Sequence, residues 1–178
     1  MRLRWSLAWA LLASLAAATS LRPISVEQLA QRSQLIVEAR ALTSYARWNP
    51  QHTLIFTYTE FRPLRALKGT LATPLIVKQL GGSAGGYTQH VAGVRRWQPG
   101  DEAVLFLRPS AAADGSMIVV GLSQGDFRIE RFAGSPARAS NGVPEISSSR
   151  PGSTGQFFTG SSTTLSDLEN RVRRALKK

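Results

Sequence analysis

Residues Gly121–Gly125, GLSQG, match the G-x-S-x-G motif in which a serine is the nucleophile of many hydrolases. In those enzymes the motif lies between a strand and a helix, and the catalytic histidine follows the serine along the chain. Here both histidines, His52 and His90, precede Ser123, and the segment after the motif alternates like a strand. The sequence therefore predicts that the chain is not an enzyme. A hydrolase that uses Ser123 with His52 or His90 is the alternative.

A glycine cluster at 81–86, GGSAGG, is the second candidate for chemistry. A phosphate-binding loop needs a lysine and a hydroxyl residue after its last glycine, because these groups contact the phosphates and the metal ion. Gly86 is followed by Tyr87 and Thr88, and no helical pattern follows that would place a helix N-terminus at a pyrophosphate. We predict a bend in a β-sheet here and no nucleotide ligand.

The sequence also lacks the clusters of side chains that hold metal ions. It contains no cysteine, and neither histidine has a second one three or four residues away. Glu38 and Glu60 are the acidic candidates within apolar strand-like segments, and outward-facing strand positions explain both. We predict no metal, no other cofactor and no catalytic residue.

Basic and aromatic residues come together between the glycine cluster and the next predicted strand. Five residues there have the chemistry to stack on a ring and contact an anion: Tyr87, His90, Arg95, Arg96 and Trp97. The alternative is that Trp97 packs beneath the following QPGD turn while the arginines are solvated. We predict a binding surface at these five residues.

The charge of the chain indicates what such a surface would attract. Lysine and arginine number 22 against 11 aspartates and glutamates, which gives a formal net charge of +11. A positive charge of this size attracts polyanions. The basic residues are scattered, however, rather than gathered into a stripe that tracks a nucleic acid. The expected partner is therefore a protein or a polyanionic component of the cell envelope, and nucleic acid is disfavoured.

The first 18 residues have the three parts of a secretory signal peptide. Arg2 and Arg4 precede an uncharged run at 5–15, and the small residues Ala16–Ala18 provide a cleavage site at 18–20. The run is shorter than the roughly 20 apolar residues that a transmembrane helix needs. We expect an exported protein, periplasmic or secreted, without a transmembrane segment. It is not expected to be a lipoprotein, because no cysteine is available for acylation.

The remaining chain begins with a β-rich domain, predicted at 21–132. This domain starts with a short helix at 25–34, which has the residues of an N-terminal capping box. Residues 133–162 follow and are rich in glycine, serine and proline, which predicts a loop or connector.

The chain ends in an amphipathic helix, predicted at 163–178. Leu165, Leu168 and Val172 fall on one face of this helix, and basic residues fill its last turn. We predict that the apolar face docks on the β-rich domain. Because the helix is basic, a peripheral membrane protein held by this helix is an alternative.

The β-rich domain contains roughly six strand patterns separated by glycine and proline turns. Some of these strands are apolar on both faces, which favours a sheet that closes on itself. We predict a mostly β fold, a small β-barrel flanked by a short N-terminal helix and the C-terminal amphipathic helix. A β-sandwich is the alternative.

Five segments carry a resemblance to known proteins: SVEQLAQRSQLIVEARALT, RPLRALKG, QLGGSAGG, WQPGDEAVLFL and VVGLSQGDFRI. They resemble a group of uncharacterised exported bacterial proteins, which are similar in layout to the netrin/tissue-inhibitor-like (NTR-like) branch of the OB-type barrels. Lys68–Gly69 and Gly100–Leu107 match segments that recur in that branch. The resemblance implies an OB-like barrel with a binding or inhibitory role. Tissue inhibitors bind a protease's zinc through an N-terminal cysteine, which this chain lacks, so that mechanism is not implied.

Overall fold

The computed structural model describes residues 23–71, 73–112, 114–142 and 160–177. These residues form a mostly β fold of ten strands, two α-helices and one 3-10 helix. The predicted signal peptide at 1–18 lies outside the described residues.

The two α-helices lie at the two ends of the described chain, with the strands between them. The helices are α1, Val26–Arg32, and α2, Leu165–Leu176, and a 3-10 helix spans Leu122–Gly125. The strands are β1, Leu35–Trp48; β2, Ile55–Lys68; β3, Leu75–Leu80; β4, Gly82–Ala84; β5, Tyr87–Gln89; β6, Glu102–Pro109; β7, Met117–Val119; β8, Asp126–Glu130; β9, Arg138–Ser140; and β10, Ser162–Thr164.

Five of the strands close into a barrel. The hydrogen-bonded order is β1-β2-β3-β7-β6, and β6 pairs again with β1, from Leu35 opposite Leu107 to Arg40 opposite Glu102. All of these pairs are antiparallel except β3 with β7, which run parallel. The closed ring confirms the predicted small OB-like barrel, and the alternative of a β-sandwich is wrong.

The barrel interior holds the first of two apolar cores. Because successive side chains of a strand point to opposite faces, every second residue of β1 and β6 points into the barrel. The interior core consists of Leu35, Val37, Ala39, Ala41, Phe61, Leu75, Val77, Trp97, Ala103, Leu105 and Leu107.

Three of the intervening residues of β1 and β6 belong to a second core outside the barrel. Ile36 of β1 and Val104 and Phe106 of β6 are fully buried on this side. Residues of α1, α2, β8 and β9 cover them: Val26, Leu29, Ala30, Phe127, Ile129, Ala139, Leu165, Leu168 and Val172. The need to face two cores explains why the start of β1 and the middle of β6 are apolar on both faces.

Each helix begins at a hydroxyl residue that caps its N-terminus. Ser25 Oγ accepts the N–H of Gln28, and the Gln28 side chain accepts the N–H of Ser25, which completes the capping box of α1. At α2, Thr164 Oγ1 accepts the N–H of Asp167. The capping box that the sequence predicts for the first helix is therefore formed.

The apolar face of α2 is buried. Leu165, Leu168 and Val172 belong to the second core, where α2 packs against α1 and the barrel wall. The face that membrane attachment would require is therefore covered by the protein itself. In the described part of the chain, no helix is long and apolar enough to span a bilayer.

A chain of ion pairs also joins α2 to the barrel. Its members alternate in charge in the order Arg40, Glu102, Arg131, Glu38, Arg65, Glu169 and Arg173. The glutamate side chains are nearly buried, whereas the arginines are about half exposed. Glu38 of β1 accepts from Arg131 at 2.8 Å and from Arg65 at 3.2 Å, and Arg65 also contacts Glu169 of α2.

One short strand, β9, lies within the predicted connector at 133–162, and a second, β10, begins at its last residue. β9 pairs with β8, and β10 pairs with β9 before the chain enters α2. Asn141 Nδ2 donates to the carbonyl O of Gln124 at 2.7 Å, and Asn141 Oδ1 accepts the N–H of Ser161 at 2.8 Å. These described parts of the connector therefore belong to the sheet.

Candidate functional site

The structure does not assemble a catalytic centre around Ser123. This residue is buried in the 3-10 helix between β7 and β8, and its N–H donates to the carbonyl O of Gly93 at 3.1 Å. Strand β8 follows directly, so the strand-turn-helix context of a hydrolase motif is not formed. Among the described residues, the Ser123 hydroxyl is hydrogen-bonded to neither histidine. No group of three or more metal-ligating side chains occurs among them either.

The five predicted binding residues lie in three different places. Arg95 and Trp97 point into the protein, His90 and Arg96 line a small cavity, and Tyr87 is on the surface. The segment therefore does not form one continuous binding surface, and each place has to be considered separately.

Trp97 belongs to the barrel core. Its side chain is 4% exposed and packs edge-on against Phe61, with the ring centres 5.0 Å apart. The indole Nε1 donates to the carboxylate of Asp126 at 3.1 Å. A ring in this position is not available to stack on a ligand.

Arg95 pairs with the same buried carboxylate. Its Nε lies 3.5 Å from Asp126 Oδ2, and its Nη2 donates to the carbonyl O of Ser140 and of Gly142, both at 3.3 Å. Burial raises the pKa of Asp126 to about 6, although the charge of Arg95 and the hydrogen bond from Trp97 act in the opposite direction. These contacts fasten the segment to β9, which is a structural role.

His90 and Arg96 line a cavity of about 40 Å³ together with Thr57 and Gly81. This volume accommodates a few water molecules. Pockets for small molecules are usually larger than about 300 Å³. The cavity is therefore too small to hold a ligand of ordinary size.

Tyr87 takes part in an aromatic group at the end of the β1–β2 hairpin. We call Trp48, His52 and Tyr87 the tip cluster. The rings of Trp48 and His52 stack with their centres 6.0 Å apart, and Tyr87 meets the Trp48 ring edge-on at 5.7 Å. Tyr87 is 67% exposed, so its ring is accessible from solvent.

A second group of rings and cations lies on the outer wall of the barrel. This wall cluster consists of Tyr45, Arg47, Phe56, Tyr58 and Lys78, which come from the adjacent strands β1, β2 and β3. The Tyr45 and Tyr58 rings stack at 5.3 Å with 10° between their planes. The Arg47 guanidinium lies 4.5 Å from the centre of the Tyr58 ring. Lys78 Nζ lies 4.4 Å from the centre of the Phe56 ring.

The strand register brings the wall cluster together. Tyr58 lies opposite Tyr45 on β1 and opposite Lys78 on β3. The next residues inward, Thr59 and Val77, are buried, so Tyr58 and Lys78 face outward by strand alternation. The wall cluster therefore spans three strands at one level of the sheet.

Within the wall cluster, Arg47 is the cation that faces solvent. Lys78 donates to the Asp114 carboxylate at 3.1 Å, in the loop between β6 and β7. Hydrogen bonds from Ser116 and then from Lys78 lower the pKa of Asp114 to about 2. Lys78 is thus paired, whereas Arg47 is exposed and lies beside Tyr45, which is 50% exposed.

Trp48, His52 and the whole wall cluster are not among the binding residues that the sequence predicts. Aromatic or basic residues occur two positions apart on each strand, at Tyr45 and Arg47 on β1 and at Phe56 and Tyr58 on β2. This spacing identifies the wall cluster once the register of the hairpin is known. In comparisons with known proteins, the chain matches no protein-family model and no curated protein. The contacts of the two clusters are therefore the basis for a functional proposal.

Proposed function

We propose that the chain is an exported, non-catalytic binding module whose wall cluster binds an anionic polymer of the cell envelope. The observation that carries this proposal is the Arg47 guanidinium, which is exposed and held 4.5 Å from the Tyr58 ring and 6.0 Å from the Tyr45 ring. Two rings hold this cation in place before a ligand arrives, so less side-chain freedom is lost on binding.

The chemistry of the wall cluster suits an anion next to an apolar face. A guanidinium forms paired hydrogen bonds with carboxylate and phosphate groups, and it does so while stacked on a ring. Tyr45 adds a flat face and a hydroxyl group beside Arg47. Together they offer contacts both to the charged groups and to the uncharged parts of a polymer.

Two further observations support the wall cluster as the binding site: the net charge of the chain and the burial of the opposite wall of the barrel. The net charge of +11 attracts anionic ligands over a distance. The helices and β8 cover the barrel wall formed by β1 and β6, whereas Tyr45 and Arg47 are exposed on the wall formed by β1, β2 and β3.

The position on the barrel is also the one at which OB-type barrels bind ligands. In that fold, ligands lie on the face of the second and third strands and on the loops after the first and fourth strands. Phe56, Tyr58 and Lys78 lie on the second and third strands here, and Asp114 lies in the loop after the fourth barrel strand, β6. This support is an analogy between folds. The location at the envelope is supported by the N-terminal signal-peptide pattern.

The test is retention of the full-length protein on immobilised polygalacturonate in a rising salt gradient. We expect Arg47→Ala and Tyr45→Ala to elute at lower salt than the parent protein. Arg174→Ala, which removes one exposed charge from α2, is the matched control and should elute close to the parent. Equal losses for Arg47→Ala and Arg174→Ala would show that net charge alone causes retention, which would overturn the wall cluster as the site.

The other functions suggested by the sequence have less support. A hydrolase needs an accessible serine beside a histidine, but Ser123 is buried. Membrane attachment through α2 needs an exposed apolar face, but Leu168 and Val172 are in the second core.

A further inference from the structure

The tip cluster depends on a rigid loop between β1 and β2. Asn49 Oδ1 accepts the N–H groups of Thr53 at 2.8 Å and of Leu54 at 3.0 Å, and Asn49 Nδ2 donates to the side chains of Gln51 and Thr53. His52 adopts a left-handed backbone conformation with φ of 55°, which non-glycine residues seldom use. The hydrogen bonds of Asn49 maintain this conformation, which places the His52 ring on Trp48.

The turn between β4 and β5 completes the tip cluster from the other side. Gly85 and Gly86 have φ of 58° and 80° in this turn. A Cβ atom on Gly85 would lie 3.4 Å from Trp48 Nε1, which is ordinary contact, so the positive φ rather than lack of space favours glycine at this position. Tyr87 follows directly and meets the Trp48 ring. Two turns that are distant in sequence thus build one exposed aromatic site.

A free strand edge lies between the tip cluster and the wall cluster. β1 pairs with β6 only over Leu35–Arg40, so among the described residues no strand is paired with that edge of β1 from Thr43 to Trp48. An unpaired edge presents backbone N–H and C=O groups to a ligand. Arg47 and Trp48 are consecutive on this strand and point to its opposite faces.

Apart from Arg47, which points to the opposite face of β1, the residues that flank the three rings are uncharged. Gln51 and Thr53 lie in the loop of His52, and Thr88 and Gln89 follow Tyr87, whereas the amide of Asn49 is used by the hydrogen bonds of the loop. Their amides and hydroxyls are neutral donors and acceptors. The tip cluster therefore combines ring faces with neutral hydrogen-bonding groups.

We propose that the tip cluster binds a sugar ring, so that the polymer on the wall cluster is an anionic polysaccharide. The polymer crosses the free edge of β1, with one sugar ring on Trp48 and Tyr87 and an acidic group on Arg47. This inference rests on the proposed function and names the class of its ligand.

The neutral surroundings favour a sugar over a nucleobase. A sugar presents C–H groups on its faces, which pack on aromatic rings, and hydroxyls around its rim, which need neutral donors and acceptors. Proteins that bind single-stranded nucleic acids instead combine stacking rings with a positively charged groove along the phosphates. The charged residue of β1 that adjoins the tip cluster is Arg47, and its side chain points to the opposite face of the strand.

Fluorine NMR of the full-length protein labelled with fluorotryptophan tests this site directly. The chain has four tryptophans, and single Trp→Phe variants assign their signals. We expect polygalacturonate to shift the signal of Trp48 and to leave that of the buried Trp97 unchanged. Tyr87→Ala should weaken binding about tenfold, a loss of about 1.4 kcal/mol, because it removes a ring face from the site. Tyr87→Phe keeps the ring and should bind like the parent.

Polyglutamate, an anionic polymer without sugar rings, separates this inference from the proposed function. We expect polyglutamate to bind more weakly in Arg47→Ala and to leave the Trp48 signal unshifted. If polygalacturonate binding depends on Arg47 but does not move the Trp48 signal, the sugar site is wrong and the proposed function stands. If neither polymer binds, the proposed function itself fails. A larger shift of the Trp48 signal with single-stranded poly(dT) than with polygalacturonate would mean that the tip cluster binds a nucleobase and not a sugar ring.

Discussion

Arg95 and Asp126 form an ion pair that is buried but incompletely hydrogen-bonded. Arg95 Nε lies 3.5 Å from the carboxylate, and Trp97 donates to the same group. Within the described chain, however, Arg95 Nη1 and Asp126 Oδ1 have no hydrogen-bond partner. An unsatisfied buried polar group costs about 1–3 kcal/mol. The protonation state of Asp126 should therefore influence the stability of the fold.

We expect the free energy of unfolding to decrease as the pH rises from about 4 to about 6. Asp126 has a pKa of about 6 in the folded protein, whereas 3.8 is its ordinary value. The folded state thus binds more protons than the unfolded state in this window, so raising the pH favours unfolding. The decrease should be on the order of 2–3 kcal/mol. Urea unfolding at a series of pH values measures it.

Asp126→Asn is the control for this pH dependence, because it removes the titrating group. Its stability should no longer decrease as the pH rises through the same window, even though the loss of a counter-charge for Arg95 lowers its absolute stability. A profile as steep as that of the parent protein would contradict the assignment to Asp126. At lower pH the slope should reverse, because hydrogen bonds hold the pKa values of Glu27 and Asp114 at about 2. Protonation of these two groups therefore favours unfolding.

Trp97→Phe should lower stability without changing polymer binding. The phenyl ring keeps a contact with Phe61 but loses the hydrogen bond to Asp126, which should cost about 1–3 kcal/mol. Retention on polygalacturonate should match the parent protein, because Trp97 is buried away from both clusters. Thermal unfolding and the salt gradient measure the two effects separately. Weaker retention at unchanged stability would restore Trp97 as a binding residue.

Two arginines that contact Glu169 should differ in their importance for stability. Arg65 joins Glu169 to Glu38, so Arg65→Ala leaves two nearly buried carboxylates with fewer partners and should cost about 1–3 kcal/mol. Arg173 lies 3.5 Å from Glu169 and is 59% exposed, so Arg173→Ala should cost less than about 1 kcal/mol. Chemical denaturation of both variants compares them. Equal costs would mean that the ion-pair chain does not hold α2 on the barrel.

Gly82→Ala should disturb the tip cluster more than Gly86→Ala. A Cβ atom on Gly82 would lie 2.6 Å from Thr57 Oγ1 and 2.8 Å from Ala46 Cβ, so β4 must move away from the β1–β2 hairpin. A Cβ atom on Gly86 meets nothing within 4 Å, so this change should cost only about 1 kcal/mol for its positive φ. The fluorine signal of Trp48 reports the difference: it should shift in Gly82→Ala and stay close to its parent position in Gly86→Ala.

The barrel was predictable because its strands carry strong local signals. The alternation in β2 and the two-sided apolar pattern of β6 follow directly from the positions that these strands occupy. The strands β9 and β10 lack such signals, since each has three residues and lies among serines and glycines. Their pairing is held by long-range hydrogen bonds such as those of Asn141, which no local pattern reveals.

The candidate site was harder to predict because its parts meet only after folding. Trp48 and Tyr87 are far apart in sequence and touch because the β4–β5 turn packs against the β1–β2 hairpin. Arg95 and Trp97 look like surface residues until the partner Asp126 is placed beside them. Asp126 lies on the same face of β8 as the exposed Arg128 and Glu130, yet it is 0% exposed because Arg95 and Trp97 cover it.

Strand β6 separates the two apolar cores, and this has a consequence for its register. Phe106 and Leu107 are consecutive residues that lie in different cores. A slip of β6 by one residue would exchange the contents of the cores while keeping both of them apolar, so hydrophobicity alone specifies the register weakly. Glu102, at the start of β6, is bound by Arg40 and Arg131, and a slip would pull its carboxylate away from both. The ion-pair chain thus specifies the register of β6, because it favours one of two nearly equivalent ways to close the barrel.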